Sequence, residues 1–309
     1  MSSAPPADPA GTRPPALFRC SLASEAAGEP MLGTASTIDR WLLLEHGGPW
    51  GADALRDARL PATVRAYLRR AERELGIRVL LVRRPDRSNE RRTTTVAAVS
   101  TGPADPWIER IDLADPSAVP GLDLEPLASG ASLGWDRDDR PAFVVCTQGR
   151  RDPCCAERGR PLVAALARRY PDETWESTHV GGDRFAGNLV VFPEGLYFGR
   201  VASDDVGLVA SAYLDRRIDL TRFRGRACYP MDVQAAEQLL RVDRGWDGIA
   251  DVVLAAVERD ARLTQATFDT PDGAVTVSLH RSRSEPRQLT CHAWGRSASP
   301  RYEGFEISS

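Results

Sequence analysis

The sequence predicts an α/β to α+β fold, and three observations carry that prediction. First, 309 residues with 42% hydrophobic and 27% charged side chains suffice for one large core or two ordinary ones, with no disulfide staple needed. Second, apolar strand-like runs alternate twice with stretches of helical periodicity. Third, the last third closes on β-rich segments flanking an Asp272-Gly273 turn.

In the first unit, Ile38 and the run 41–44 read as a strand that ends in His46-Gly47-Gly48-Pro49-Trp50-Gly51. Residues 61–75 place Val64, Leu68, Ala71 and Leu75 on one helical face, stopped by Gly76. Segments 79–82, 93–99 and 107–113 are further strands, and 114–140, rich in Pro, Gly and Asp, reads as a linker or embellishment. In the second unit, 142–146 is a strand and 154–169 a helix, with Pro161 as an alternative start. Residues 174–179 form a strand, and 189–192 and 196–198 flank Pro193-Glu194-Gly195 as a hairpin. Segments 206–214, 232–240 and 249–259 read as helices, and 267–279 and 288–307 as antiparallel strands. The expected divisions are a disordered tail at 1–15, an N-terminal αβ unit with linker at 16–140, a second unit at 141–215 and an α+β segment at 216–309.

Composition excludes several functions. The formal net charge of −3 argues against coating nucleic acid or a polybasic membrane surface. All 40 basic residues are Arg, so Schiff-base lysine chemistry and a Walker-type phosphate loop are excluded. No segment reads as a membrane span: 249–257 is about half of the ~20 residues required and contains Asp251. The N-terminus lacks the basic start and apolar core of a signal peptide, so a cytoplasmic location is expected. Six cysteines in such a reducing compartment are thiols, metal ligands or redox groups. Neither a Gly-x-Ser-x-Gly elbow nor a carboxylate pair placed for glycoside chemistry is evident.

The chemistry concentrates between Cys146 and Asn188. Cys146, Cys154 and Cys155 occupy a loop between a strand end and a helix start, where unpaired N–H groups lower a thiol pKa. His179 follows the next strand, then Gly181, Gly182, Asp183 and Arg184. Cys20, Cys228 and Cys291 stand isolated, with no short metal spacing, and read as small buried side chains. The exposed-face reading applies to Arg150, Arg151, Arg184 and Arg200, with steering of an acidic partner as the functional alternative.

Cys146 with Cys155, and the stretch His179-Val180-Gly181-Gly182-Asp183-Arg184-Phe185-Ala186-Gly187-Asn188, resemble the sucrase/ferredoxin-like family. Arg19-Cys20-Ser21, Gly33-Thr34-Ala35, Gly48-Pro49-Trp50-Gly51 and Tyr197-Phe198-Gly199-Arg200 add matching pieces in order. The resemblance implies a thioredoxin-like ferredoxin unit at 141–215 and a [2Fe-2S] cluster with mixed Cys/His ligation. Cys146 and Cys155 would hold one iron and His179 the other. Some members carry a second His where this chain has Asp183, a hard anionic ligand unusual on iron–sulfur. Asp183 ligates, or Cys154 or a distant Cys replaces it, or the cluster is absent. The resemblance further implies Cys154, Gly181, Gly182 and Arg184 around the ligands, the glycines letting backbone approach the sulfides. It implies an electron carrier, rather than a hydrolase, working between a reductase and an acceptor protein. The alternatives are a cluster-free thioredoxin-fold thiol redox protein or sensor, and a non-catalytic interaction module.

Overall fold

The computed structural model describes residues 18–86 and 93–308; the expected tail at 1–15 lies outside them. Two crossover units of the same design lie side by side. In the first, β1 (Arg40–Glu45) is followed by the short helix α2 (Ala54–Asp57) and by α3 (Ala62–Glu74), then by β2 (Arg78–Arg83), parallel to β1. Strand β3 (Thr94–Ser100) returns antiparallel on the other side of β1 and pairs with β4 (Trp107–Leu113). In the second unit, β6 (Ala142–Cys146) runs through α5 (Pro153–Arg169) into the parallel β7 (Thr174–Ser177). Strand β8 (Leu189–Phe192) then pairs antiparallel with β6 and forms a hairpin with β9 (Leu196–Phe198).

One sheet joins the units, because β2 pairs with β7 through Val82 opposite Ser177 and Arg83 opposite Glu176. With β5 (Asp136–Arg137) and β10 (Phe223–Arg226) at its edges, the ten-strand order is β10-β9-β8-β6-β7-β2-β1-β3-β4-β5. Alternation along each strand sorts side chains to two faces. Leu42 and Leu44 of β1 face α3, with Val64, Leu68 and Ala71. Phe143 and Val145 of β6 face α5, with Leu162, Val163 and Leu166. The opposite faces merge into one cluster of Trp41, Leu43, Val82, Val144, Trp175 and Phe192. Four strand spacings separate β1 from β8, about 19 Å in a flat sheet. Yet the Trp41 and Phe192 ring centroids are 5.3 Å apart, so the sheet curls over its own shared face.

The remaining chain braces this sheet. Helix α1 (Cys20–Ala26) packs on the second unit near residues 183–185, and α6 (Val206–Leu214) covers Phe143. Helix α7 (Met231–Arg244) lies between β10 and a four-strand meander, β11 (Val253–Arg259), β12 (Leu263–Thr270), β13 (Gly273–Arg283) and β14 (Pro300–Ser308). Glu237 of α7, fully buried, receives Arg226 at 3.2 Å and Arg241 at 3.0 Å.

Three segments depart from expectation. Residues 253–259 form strand β11 rather than a helix: Val253 and Val257 suit either period, and pairing with β12 decides the choice. Residues 114–140 are not a free linker. A 3₁₀ turn (Pro116–Gly121) and α4 (Glu125–Ala128) bury Val119, Leu124 and Leu127 against α3 and the sheet. Of 288–307, only 300–307 lies in a strand. Helix α5 agrees with the 154–169 reading: it begins at Pro153, where Asp152 caps it by accepting from the Cys154 N–H, and passes through Pro161 rather than starting there. Among the described residues no helix is long and apolar enough to cross a membrane.

Candidate metal centre

The second unit's parallel strands end beside the N-terminus of α5, the place where α/β sheets present ligand-binding groups. Cys146 is the last residue of β6, and Cys155 sits in the first turn of α5. The helix approaches the strand end closely: a Cβ on Gly159 would lie 2.2 Å from the Cys146 carbonyl oxygen, so only glycine admits this contact. His179 follows β7, and Asp183 opens a 3₁₀ turn four residues on.

These four side chains converge. Donor atoms of Cys146, Cys155 and His179 all lie within 4.8 Å of one another. Asp183 Oδ1 is 2.9 Å from His179 Nδ1 and 3.2 Å from Cys155 Sγ. Cys146, Cys155 and Asp183 are buried, whereas the His179 side chain keeps 22% exposure and forms the solvent edge. His179 is held by its backbone: its N–H donates to Gln148 Oε1 at 2.8 Å, and its carbonyl accepts from Arg78 at 3.1 Å. Gln148 also donates to the Gly51 carbonyl at 3.0 Å, which ties the Gly48-Pro49-Trp50-Gly51 loop of the first unit to the site.

Ionisation follows these contacts. Hydrogen bonding from the Cys155 thiol, aided by His179, overcomes burial and brings the Cys146 thiol down to about 5. Hydrogen bonding to Cys146, with burial added, pushes Cys155 well above the usual thiol range. Burial would lower His179, but Asp183 and Cys146 override it and raise the imidazole to about 9. Burial would raise Asp183, yet His179 holds its carboxyl below the usual range. Without metal the site is a thiolate and a carboxylate around an imidazolium, beside a neutral thiol.

Two thiols and an imidazole form a donor set suited to soft and borderline metals. His179 Nδ1 is buried and, despite its nearness to Asp183, makes no aligned hydrogen bond. In the absence of metal Asp183 is its ion-pair partner, and on loss of the imidazole proton the same nitrogen is free to take a metal ion. Cys146, Cys155 and His179 could therefore hold one.

The neighbours sort differently from the sequence expectation. Gly181 (φ 99°) and Gly182 (φ 77°) admit Ser36 and Arg224: added Cβ atoms would meet Ser36 Oγ at 2.5 Å and Arg224 Nη2 at 2.2 Å. Arg184 pairs with Glu29 at 2.7 Å. Cys154 turns its Sγ away, to 3.4 Å from Cys291 Sγ. Arg224, which the sequence did not single out, is 1% exposed. It donates to the Gly181 carbonyl at 3.2 Å, to Asn188 Oδ1 at 2.7 Å and to the Thr34 carbonyl. Burial lowers its pKa to about 10, and among the described residues it has no carboxylate ion-pair partner. Its acceptors Thr34 and Asn188 lie in the Gly33-Thr34-Ala35 and Ala186-Gly187-Asn188 motifs, but nothing in the sequence tied those motifs to Arg224.

Residues 31–225 match the profile of the sucrase/ferredoxin-like family, well over half of the chain. The chain belongs to the sucrase/ferredoxin-like family. A curated relative, altered inheritance of mitochondria protein 32 of Meyerozyma guilliermondii, is 33% identical over 93 residues. That match covers 26% of this chain and 33% of the relative, so the chain spans about a third of that protein's length. No solved structure matches the chain. Within this sucrase/ferredoxin-like chain, the family region contains Cys146, Cys155, His179 and Asp183 together with Gln148 and Arg224.

Proposed function

We propose that this protein is an electron carrier whose redox group is a [2Fe-2S] cluster held by Cys146, Cys155 and His179, with Asp183 as fourth ligand. The observation that carries the reading is the convergence of the three donor atoms within 4.8 Å at a helix N-terminus. The βαβ unit followed by a hairpin at 142–198 supports a thioredoxin-like arrangement for this region. All six cysteines are free thiols, which suits reducing, cytoplasmic surroundings.

The donors as they stand are in mutual contact, the spacing of a single ion. A two-iron cluster requires the cysteine pair and the His179/Asp183 pair to draw apart. His179 favours this, being on the open edge with its ion-pair partner Asp183 on the same four-residue segment, so the two can shift together. Bound there, the cluster supplies one-electron chemistry at a potential raised by imidazole relative to all-thiolate ligation. The chain's residues do the rest. Cys155 and His179 give up protons to become ligands. Gln148 keeps His179 in place, and buried Arg224 contributes fixed positive charge against the anionic ligands. The exposed edge of His179 is the exit toward a protein partner, and Arg150 and Arg151, exposed in the same loop region, favour an acidic one.

A second reading has its own observation. Cys146, a thiolate above about pH 5, touches the protonated Cys155, an arrangement suited to thiol–disulfide exchange with a disulfide substrate. Cys146 would attack the substrate disulfide and Cys155 would resolve the mixed disulfide, leaving Cys146–Cys155 oxidised and the substrate reduced.

Iron and acid-labile sulfide measured per chain on protein purified without air decide between them. About two of each, lost in Cys155→Ala, establish the cluster. Iron and sulfide absent even after anaerobic reconstitution overturn it and leave the thiol reading.

A further inference from the structure

A second cysteine cluster lies behind the first, built from three remote stretches of chain. Cys20 begins α1, Cys154 sits in the first turn of α5, and Cys291 lies in the connection between β13 and β14. Cys291 Sγ is 3.4 Å from Cys154 Sγ and 3.6 Å from Cys20 Sγ. The Asp152 carboxylate oxygens are 3.6 and 3.7 Å from Cys20 Sγ. All four donors lie within 4.8 Å of one another and all four residues are buried. We propose that Cys20, Cys154, Cys291 and Asp152 form a tetrahedral zinc site that clamps the N-terminal helix and the C-terminal segment onto the start of α5.

Three features support this. The first is size. Zinc–sulfur bonds of ~2.3 Å give a tetrahedron with edges of about 3.8 Å, close to the spacings present before any ion is added. The second is charge. Asp152 is fully buried, and among the described residues no Arg or His forms an ion pair with it; it accepts only from the Cys154 N–H at 3.0 Å, the Cys291 N–H at 2.7 Å and the Cys20 thiol. A divalent ion would give the carboxylate a direct cationic partner, the three thiols releasing their protons to solvent and the resulting site remaining net negative beside the N–H groups that open α5. The third is pre-organisation. The two N–H contacts fix the carboxylate and, through it, the backbone of two of the three cysteines, as outer-shell hydrogen bonds do at metal sites.

Cys20 and Cys291 fall outside residues 31–225 whereas Asp152 and Cys154 fall inside, so this site ties the flanking parts of the chain to the family region. It is independent of the redox reading, since its donors share no atom with Cys146, Cys155 or His179. A disulfide between Cys154 and Cys291 is the competing use of the same sulfurs, and it would leave Cys20 unpaired.

The test uses the full-length chain with Cys146→Ser and Cys155→Ser, which removes the first site. Metal analysis after growth with zinc should find about one zinc per chain. Cobalt substitution should give a tetrahedral spectrum with thiolate charge-transfer bands, and adding Cys291→Ser should abolish both. No bound zinc together with no tetrahedral cobalt spectrum overturns the proposal, as does zinc that survives Cys291→Ser, or a Cys154–Cys291 disulfide in protein isolated with thiols trapped at lysis. Should the substituted chains fail to fold, alkylation of the wild-type chain decides. Zinc should slow labelling of Cys20, Cys154 and Cys291 together by about tenfold or more, a chelator should restore it, and Cys228 should be indifferent. Equal labelling with and without zinc overturns the site.

Discussion

His179 Nδ1 and Asp183 Oδ1 stand 2.9 Å apart, four residues along the chain, and the same oxygen reaches Cys155 Sγ at 3.2 Å. Asp183 thus touches both the imidazole and a thiol. Replacing it tests whether it ligates or only balances charge. Asp183→Ala should reduce iron retention by about 10–100-fold, while Asp183→His should retain iron and raise the reduction potential. Iron content and a redox titration check both. Unchanged iron in Asp183→Ala would remove the carboxylate from the ligand set.

The metal-free site has a defined pH window. Cys146, lowered to about 5 from an ordinary value of 9.0, contributes stability that is complete above that ordinary value and lost as pH falls through about 5. His179, raised to about 9 from 6.5, contributes stability that is complete below 6.5 and lost as pH rises through about 9. The thiolate–imidazolium pair therefore persists between about pH 5 and 9. Ultraviolet thiolate absorbance should show a step near pH 5 that vanishes in Cys146→Ser and moves upward in His179→Gln. A thiolate signal that emerges only in the ordinary thiol range would contradict this assignment.

Gln148 joins the two units at the site, accepting from His179 and donating to Gly51. Gln148→Ala should cost about 1–3 kcal/mol of stability and weaken metal retention roughly tenfold. Gln148→Glu keeps the acceptor for the His179 N–H but cannot donate to Gly51. It should retain metal while losing stability. Equal metal loss in both variants would show that the His179 contact is not what positions the imidazole.

Gly182 and Gly76 both have positive φ, 77° and 67°, yet differ in surroundings. Nothing lies within 4 Å of a Cβ built on Gly76, whereas one on Gly182 meets Arg224 Nη2 at 2.2 Å. Gly76→Ala should cost only the backbone strain, about 1–2 kcal/mol. Gly182→Ala should cost roughly 3 kcal/mol or more, because the buried guanidinium it strikes is tethered to several acceptors. Urea denaturation of the two variants tests the difference, and equal losses would mean that Arg224 can yield.

Most strands and helices of the two crossover units were legible because their signals are local. The 142–146 strand, the 189–192/196–198 hairpin and the helix through Val64, Leu68 and Ala71 each declare themselves within a few residues. The 253–259 strand was not legible, since its partner β12, not its own pattern, selects the period. Likewise, Val119, Leu124 and Leu127 sit in a stretch whose turn-rich composition masks their burial.

Cys146, Cys155, His179 and Asp183 were grouped through the family resemblance, and the readable βαβ unit explains why His179 could lie beside the cysteine loop. Membership of the sucrase/ferredoxin-like family likewise rests on motifs in linear order. Only the tertiary structure decided that Cys154 turns from that group toward Cys20 and Cys291, 134 and 137 residues away in the chain. It also decided that Arg224 is buried behind Gly182, and that the sheet curls to bring Trp41 against Phe192. The physical reason is the same in each case. Spacing and periodicity encode contacts within a helix, a hairpin or a crossover unit, whereas contacts between remote segments arise only when separate apolar faces bury one another.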